Sequence, residues 1–264
     1  MPELAEVEYF RKQWDAGLGH KVLAVKLHPR KRIFRGTDTR SLVRHLAGRT
    51  LLRSVARGKH MLFEFSGNNF LGLHLGMTGK TRVEKSTFRP EKHDHLALEQ
   101  VDRTLLFRDS RQFGRVRFHH GKDQPAWWRA HIPEIIERGF DQRFVDEFLR
   151  RHGRAPIKAV LLMQSGFPGT GNWMADEILW RVKIHPAVRA TRLTKKDREA
   201  LLKETKLVAR ESLRTLGRDF SDPPSSWLIH QRWKTGGVCP KHKIKLRRGE
   251  RLYIIHAAMR MLIL

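Results

Sequence analysis

The clearest structural signal in the sequence is a glycine-rich turn that leads into a helical run, GTGNWMADEILWRVKIHP at residues 169–186. After the turn, the NWMADEILWRV segment has a helical pattern of apolar residues. A turn of this kind presents backbone N–H groups to an anion at the N-terminus of the helix. Asn172 is therefore predicted to cap the helix or to clamp a phosphate, and the two roles are compatible.

Further helices are predicted on both sides of this one. Upstream lie FVDEFLRRH (144–152) and IKAVLLMQ (157–164), and a longer helical segment begins at Thr194. Thr194 and Asp197 have the spacing of a capping box. A Pro/Ser-rich loop, SDPPSSW (221–227), and a short basic β-like tail follow.

The first half of the chain has a different pattern. Residues 4–16 are predicted to form an amphipathic helix, with Leu4, Val7, Phe10 and Trp14 near helical spacing. Short strand-like runs separated by turn residues follow, and this arrangement favours a β-sandwich or barrel. The runs are KVLAVKL, TLLRSVAR, HMLFEF, FLGLHLG, HLALEQ, TLLFRD and RVRFHH.

These patterns predict an α+β protein with a β-sandwich domain over residues 1–122. A linker, GKDQPAWW, leads to a helical domain over 131–222, and a β-like segment covers 233–264. We expect a cleft between the first two domains.

Charge narrows the class of partner. The 264 residues include 53 Lys+Arg and 27 Asp+Glu, which gives a formal net charge of +26. A phosphate polymer is the natural partner, because each cation that neutralises a phosphate releases condensed counterions. A ribosomal or RNA-binding protein would explain the same charge.

The cysteine content and the distribution of apolar residues indicate the cellular compartment of the protein. Cys239 is the single cysteine, which excludes an internal disulfide framework and suits a reducing compartment. The opening MPELAEVEYF lacks the basic and then apolar pattern of a signal peptide, and no apolar run has the length of a membrane span. The sequence predicts a soluble intracellular protein, in the cytoplasm or nucleoid, without a membrane partner.

The first residues carry a possible nucleophile. Removal of Met1 before Pro2 would leave a secondary amine next to the carboxylate of Glu3. Such an amine can attack a sugar carbon and form an iminium, as lysine does in other enzymes. Glu3 could serve as general acid and base. Taken alone, the same residues also fit an ordinary chain start.

A resemblance to a known family favours the nucleophile over the ordinary chain start. MPELAEVE resembles the opening MPELPEVE of the formamidopyrimidine-DNA glycosylase / endonuclease VIII family. Similar motifs follow in the family's order along nearly the whole chain: ARGKHMLFEF, HLGMTG, PEKHDH, RDSRQFG and the GTGNWMADEILWRVKIHP stretch. The last of these looks like the signature of the family's helix-two-turn-helix element, and the tail takes the place of its β-hairpin finger.

The resemblance implies a bifunctional DNA glycosylase/AP lyase that acts on damaged duplex DNA, as a monomer and without a diffusible cofactor. Pro2 would attack C1′ with help from Glu3, and β,δ-elimination would cut the strand. Lys59 matches the family's lysine on a turn between two strands, and Glu6 matches its second N-terminal carboxylate. A non-catalytic homologue that only binds damaged DNA is the alternative.

The resemblance also implies the DNA contacts. Met77, Arg111 and Phe113 would fill the space left by an extruded base and hold the opposite strand. For Met77 alone, an ordinary core position is the other interpretation. The remaining predicted DNA-binding residues are His93, Lys158, Asn172 and Arg251.

The chain departs from the family pattern at several points. Ala5 replaces the usual proline of the opening motif, and the four-cysteine zinc ribbon is replaced by CPKH followed by RLYIIHAAM. Cys239, His242 and His256 are weak zinc candidates because the fourth position offers only a methionine thioether. We expect a zinc-free β-hairpin in which Arg251 keeps the finger arginine. The short SDPPSSWLIHQRW loop puts specificity for 8-oxoguanine in doubt, so ring-opened purines, oxidised pyrimidines and abasic sites stay open.

Overall fold

The computed structural model describes residues 1–130, 132–232 and 237–246. The chain divides into two compact units. The first comprises Met1–Pro2 and Glu6–His131, and the second comprises Glu3–Ala5 and Ile132–Leu264. No helix in the described ranges is long and apolar enough to cross a membrane.

The first unit is mainly β-structure. Helix α1 (Leu4–Gln13) continues into a 3-10 helix (Trp14–Gly17), a second 3-10 helix covers Arg32–Phe34, and α2 (Thr39–Leu46) and α3 (Ala126–Arg129) complete the helices of this region. The strands are β1 (Ala24–Leu27), β2 (Leu51–Arg57), β3 (His60–Phe65), β4 (Asn69–His74), β5 (Lys80–Lys85), β6 (Asp94–Glu99), β7 (Arg103–Arg108) and β8 (Arg115–His120).

The strands form two antiparallel four-stranded sheets with the orders β1-β6-β7-β5 and β2-β3-β4-β8. Alternate residues of both sheets enter one apolar core, where Phe63 and Leu71 of one sheet join Leu98 and Phe107 of the other. Trp14 packs against Phe63 in this core and donates its indole N–H to the Leu106 carbonyl at 3.2 Å. The predicted α+β class and β-sandwich are confirmed.

The sequence prediction does not include strand β5, helix α2, the 3-10 helix at Arg32–Phe34 or helix α3, which begins in the predicted linker. Strand β5, KTRVEK, is largely polar and therefore lacks the apolar alternation of the other strands. It lies at the edge of its sheet, and Thr81 is its one buried residue. Helix α2 is short, and it begins where the Asp38 side chain accepts the N–H groups of Arg40 and Ser41, both at 3.0 Å. The predicted first helix is also too long, because residues 14–17 tighten into the 3-10 form.

The second unit is helical. Its helices are α4 (Gln142–Arg151), α5 (Ile157–Leu161), α6 (Asn172–Val182), α7 (Lys195–Arg214), α8 (Leu216–Asp219) and α9 (Ile229–Arg232). Helix α6 is the central element, since residues 173–179 are all buried. The capping box expected at the start of α7 is present, with both reciprocal bonds made by Thr194 and Asp197.

Three residues near the start of the chain cluster with the second unit. Glu3–Ala5 belong to the second unit, because Leu4 and Ala5 are buried in its helical core and Leu4 N–H donates to the Gly169 carbonyl at 3.0 Å. The domain ranges 1–122 and 131–222 stay a prediction.

Candidate active site and DNA-contacting residues

The carboxylate of Glu3 is bound by the N-terminus of α6. Its two oxygens accept the backbone N–H groups of Gly171 and Trp173 at 2.9 Å each and of Met174 at 3.0 Å. Glu3 is only 3% exposed. Three aligned amide donors and the positive end of the helix dipole stabilise the ionised carboxylate and fix its orientation.

The glycines of the GTGN turn make room for this contact. A Cβ added at Gly171 would lie 2.3 Å from the Glu3 Cδ, and Gly169 has φ +84° with Leu4 packed against it. Any larger residue at 171 would push the carboxylate away from the amides. The sequence predicted anion-binding amides at this turn, and the anion that they bind here is the protein's own Glu3.

Asn172 is the exposed residue of the turn. Because Glu3 takes the amides of residues 171, 173 and 174, a phosphate contact at this turn would depend on Asn172. The predicted role as phosphate clamp stays a prediction.

Pro2 precedes Glu3 directly and lies outside α1. It is half-buried, and Met1 before it is 54% exposed. The peptide bond to Glu3 keeps the Pro2 ring within one residue of the fixed carboxylate. Glu6, in the first turn of α1, is also half-buried.

Lys158 is placed differently from the prediction that it contacts phosphate. It lies in α5, is 3% exposed, and its Nζ is 2.5 Å from Oδ1 of Asp176, which is 5% exposed. The ammonium is thus used inside the unit because Asp176 projects from α6 toward it. Sequence reasoning missed this pair, since no local pattern links residues 18 positions apart.

Glu177, the neighbour of Asp176, ties the SDPPSSW loop to α6. Its carboxylate accepts from Arg181 Nε at 2.8 Å and from the Leu228 N–H at 2.7 Å. Arg181 also lies 4.7 Å from the centre of the buried Trp227 ring. Burial raises the pKa of Glu177, and the charge of Arg181 opposes that rise.

Lys59 lies in the two-residue hairpin between β2 and β3, after Gly58, whose φ is +53°. The turn position agrees with the sequence, but the side chain is 5% exposed. Turn lysines ordinarily face solvent, so this burial singles Lys59 out among the many cations of the chain.

Met77, Arg111 and Phe113 are brought together on two adjacent turns of the first unit. Met77 is 45% exposed and Phe113 is 39% exposed, which excludes the core interpretation of Met77. The Arg111 guanidinium lies 4.8 Å from the centre of the Phe113 ring. A Cβ at Gly76 would lie 2.4 Å from the Phe113 carbonyl carbon, so the two turns are in backbone contact.

Asp109 holds this cluster in place, and sequence reasoning missed it. The buried carboxylate accepts from Thr78 Oγ1 at 2.6 Å, from the Gly114 N–H at 2.7 Å and from the Arg111 N–H at 3.3 Å. The backbone N–H of Asp109 donates to the His93 carbonyl at 3.0 Å. An Asp that opens a short polar turn before Gly is a recognisable signal for such side-chain-to-backbone bonding.

His93 is half-buried in the turn before β6, so the structure places it beside the segment that carries Arg111 and Phe113. Its predicted contact with DNA stays a prediction.

The start of the finger region forms a tight turn. Cys239 is buried, its N–H donates to the Ile244 carbonyl at 2.8 Å, and its Sγ lies 3.5 Å from His242 Nδ1. Among the residues that the structure describes, no three His, Cys, Asp or Glu side chains could hold a metal ion together. His256 and Arg251 lie outside the described residues.

Comparison with known proteins agrees with this geometry. The family model for the formamidopyrimidine-DNA glycosylase N-terminal domain matches residues 1–116, and the model for the formamidopyrimidine-DNA glycosylase H2TH domain matches residues 133–222. The chain is 34% identical to the formamidopyrimidine-DNA glycosylase of Ligilactobacillus salivarius over 91% of each chain. It is 32% identical to that of Solibacter usitatus over 95% of this chain and 89% of the relative.

Solved structures match as well. The complex of the Lactococcus lactis enzyme with DNA containing Fapy-dG has a TM-score of 0.85 at 28% identity, over 97% of this chain and 99% of that one. The same enzyme bound non-covalently to DNA with an AP site has a TM-score of 0.81 at 28% identity, over 93% of each chain. These likenesses define a DNA glycosylase of base excision repair. The chain belongs to the formamidopyrimidine-DNA glycosylase family, and the resemblance in its motifs is confirmed.

Proposed function

We propose that the protein is a bifunctional DNA glycosylase/AP lyase in which Pro2 is the covalent nucleophile and Glu3 the adjacent proton-transfer group. The observation that carries this proposal is the fixed carboxylate of Glu3, held by three amides of α6 one residue from Pro2. A carboxylate held so rigidly needs little reorganisation when a proton moves. Removal of Met1 is part of the proposal, because the Pro2 nitrogen is an unreactive amide while Met1 is attached.

The reaction would begin at C1′ of the damaged nucleotide. The Pro2 nitrogen forms a bond to C1′, the bond from C1′ to the base breaks, and the base leaves with the electron pair and takes up a proton from water. The amine proton passes to Glu3 and then to O4′ as the sugar ring opens to the iminium. The iminium acidifies C2′–H, so the 3′-phosphate and then the 5′-phosphate can leave by β,δ-elimination.

Borohydride trapping on abasic-site DNA tests this proposal. Reduction of the iminium should give a covalent complex that maps to Pro2, and Pro2→Gly should abolish or severely slow its formation. A trapped complex that maps to a lysine would refute the assignment. Absence of any complex with the wild-type protein would favour a homologue that only binds damaged DNA.

We also propose that Met77, Arg111 and Phe113 fill the vacated stack. The exposure of Met77 and Phe113, the contact of Arg111 with the Phe113 ring and the Asp109 bonds support this role. Met77→Ala or Phe113→Ala should slow excision from duplex more than from single-stranded DNA, because only the duplex has a stack to fill, at about a few kcal/mol per step. Equal losses on both substrates would indicate a packing defect.

Ring-opened purines are the substrate class that we propose to test first. The relatives bear the formamidopyrimidine name, and one solved neighbour holds Fapy-dG DNA. The loop before α9 is anchored to α6 through Leu228 and Trp227, which leaves little chain to cover an 8-oxoguanine. In duplexes with single defined lesions, the ring-opened purine should be excised faster than 8-oxoguanine. Faster excision of 8-oxoguanine would contradict this proposal.

For the finger, we propose a fold that does not need zinc. The described residues supply two ligands, Cys239 and His242, of the four that a structural zinc site needs. Backbone hydrogen bonds from Cys239 and Lys243 support the turn without a metal. Chelators should leave folding and activity unchanged, whereas about one zinc per chain lost together with activity would overturn the proposal.

A further inference from the structure

One face of the β2-β3-β4-β8 sheet carries a row of basic side chains. The strand pairing sets Arg57 beside His60, His60 beside His74, and His74 beside Arg115. Because side chains alternate between the two faces of a strand, all four lie on the face away from the apolar core. The row therefore collects several nitrogen donors on one surface of the sheet.

A cavity of about 200 Å³ opens on this row. Its lining includes His60, His74 and Arg115 from the row, and Arg35 and Arg117 from beside it. The Trp127 ring closes one side by resting on Gly72, where a Cβ would lie 2.3 Å from the ring. Arg117 is held 5.3 Å from the centre of the same ring.

The three arginines act on one another. The pKa of Arg117 is lowered by partial burial and then by the charges of Arg115 and Arg35, and the pKa of Arg35 by partial burial and then by Arg115. None of the ion pairs found among the described residues includes Arg35, Arg115 or Arg117. In addition, the Nε of Arg115 is shielded from solvent and has no hydrogen-bond partner in the described part of the chain.

The two histidines add donors rather than charge. Loss of solvation is the first cause that lowers the pKa of each to about 4; the next cause is Arg117 for His60 and His60 itself for His74. Both rings are therefore neutral near pH 7, and the positive charge of the cavity comes from the arginines. Forked guanidiniums around a small space match the oxygens of a phosphate group.

We propose that this cavity binds a phosphate group, with Arg115 and Arg117 as its principal ligands and Arg35 at its edge. The cavity is lined by none of the residues assigned to the lyase reaction or to the Met77, Arg111 and Phe113 cluster, and the proposal does not rest on the lyase mechanism. A phosphate there would accept from the guanidinium N–H groups that face the cavity and neutralise the mutual repulsion of the guanidiniums. The phosphate group could come from the DNA backbone or from free phosphate, which have the same recognition chemistry.

The test uses the full chain and compares Arg115→Gln/Arg117→Gln with Arg40→Gln/Arg53→Gln. The second pair removes the same charge from exposed positions of the same unit. Inorganic phosphate is titrated at constant ionic strength while the Trp127 indole N–H resonance is followed. We expect a saturable shift in the wild type and the Arg40/Arg53 variant, and an affinity lower by about tenfold or more in the Arg115/Arg117 variant.

Salt dependence then identifies the source of the phosphate. If it is the DNA backbone, the slope of log Kd against log salt for undamaged duplex falls by about 1 in the Arg115/Arg117 variant and stays unchanged in the control pair. If only the indole shift is lost, the site takes free phosphate. No saturable shift in the wild type, or an equal shift in the Arg115/Arg117 variant, overturns the proposal. If the double variant does not fold, Arg115→Lys replaces it in the test. This substitution keeps the positive charge but removes the planar guanidinium that can donate two parallel hydrogen bonds to a phosphate.

Discussion

Helices α6 and α7 lie in the same unit and begin in opposite ways. Helix α7 is capped by its own sequence, where Thr194 N–H donates to Asp197 at 2.9 Å and Asp197 N–H donates to Thr194 Oγ1 at 3.2 Å. Helix α6 begins after Gly171, which has no side chain, and its first amides bind a carboxylate 168 residues away. A cap supplied from that distance positions the Glu3 carboxylate as well as the helix.

The contrast continues beyond the first turn. Asp176 and Glu177 of α6 are buried and bind Lys158 of α5 and Leu228 of the loop before α9. The Lys195–Glu199 pair of α7 is local and exposed, and such pairs contribute little. Substitutions at α6 should therefore affect activity and stability, whereas substitutions at the start of α7 should affect stability alone.

The largest expected effect is that of Glu3→Gln. Base excision should fall by about 10²–10⁴-fold, because the amide cannot transfer the proton. Unfolding should also become easier by about 1–3 kcal/mol, since the amide keeps one acceptor oxygen for three N–H groups. DNA affinity should be unchanged, because binding depends on cations. Single-turnover kinetics, urea denaturation and duplex binding measure the three quantities.

Asp197→Asn is the matched control. It makes the same carboxylate-to-amide change at a helix N-terminus and should leave excision at the wild-type rate. If Glu3→Gln excises bases at the wild-type rate, the carboxylate is only a helix cap and the contrast between the helices is purely structural.

This contrast also explains what the sequence could predict. The Thr194 capping box can be predicted from the sequence because both of its residues lie within four positions. The strands can be predicted because the alternation of apolar and polar residues is a local pattern. The Glu3 contact joins residues that are 168 or more positions apart in sequence, and no pattern around Glu3 or Gly171 specifies the partner. The burial of Lys59 and the pairing of Lys158 are equally non-local. Asp109 is the exception, because its turn signal is local and was overlooked.

Lys158→Met should have the next largest effect. Removal of one partner from a buried ion pair should lower the free energy of unfolding by about 3–5 kcal/mol, measured by urea denaturation. Lys158→Met/Asp176→Leu should recover most of that loss, because no buried charge is left unpaired. A variant with wild-type stability and a salt slope lower by about 1 would instead show that Lys158 contacts a phosphate.

Glu177→Gln should have a smaller effect that depends on pH. The pKa of Glu177 is higher in the folded state than in the unfolded state, where it is near 4.5. The folded state therefore keeps the Glu177 proton to a higher pH. As pH rises above the pKa of the unfolded state, the unfolded state loses its proton first, so wild-type stability should fall relative to the variant by about 1.4 kcal/mol for each pH unit until Glu177 ionises in the folded state. Denaturation from pH 4 to 7 measures this difference, and a constant difference would contradict it.

The smallest effect is expected at the local cap of α7. Thr194→Ala removes the side-chain oxygen that accepts the Asp197 N–H, and it should cost about 1 kcal/mol of unfolding free energy. Thr194 is exposed, so water can bond the released amide and base excision should stay at the wild-type rate. Because the two bonds of the box are reciprocal, Thr194→Ala/Asp197→Ala should cost less than the sum of the two single variants. Additive costs would mean that the two bonds form independently, and a loss of excision in either single variant would mean that the α7 cap supports the active site as the α6 cap does.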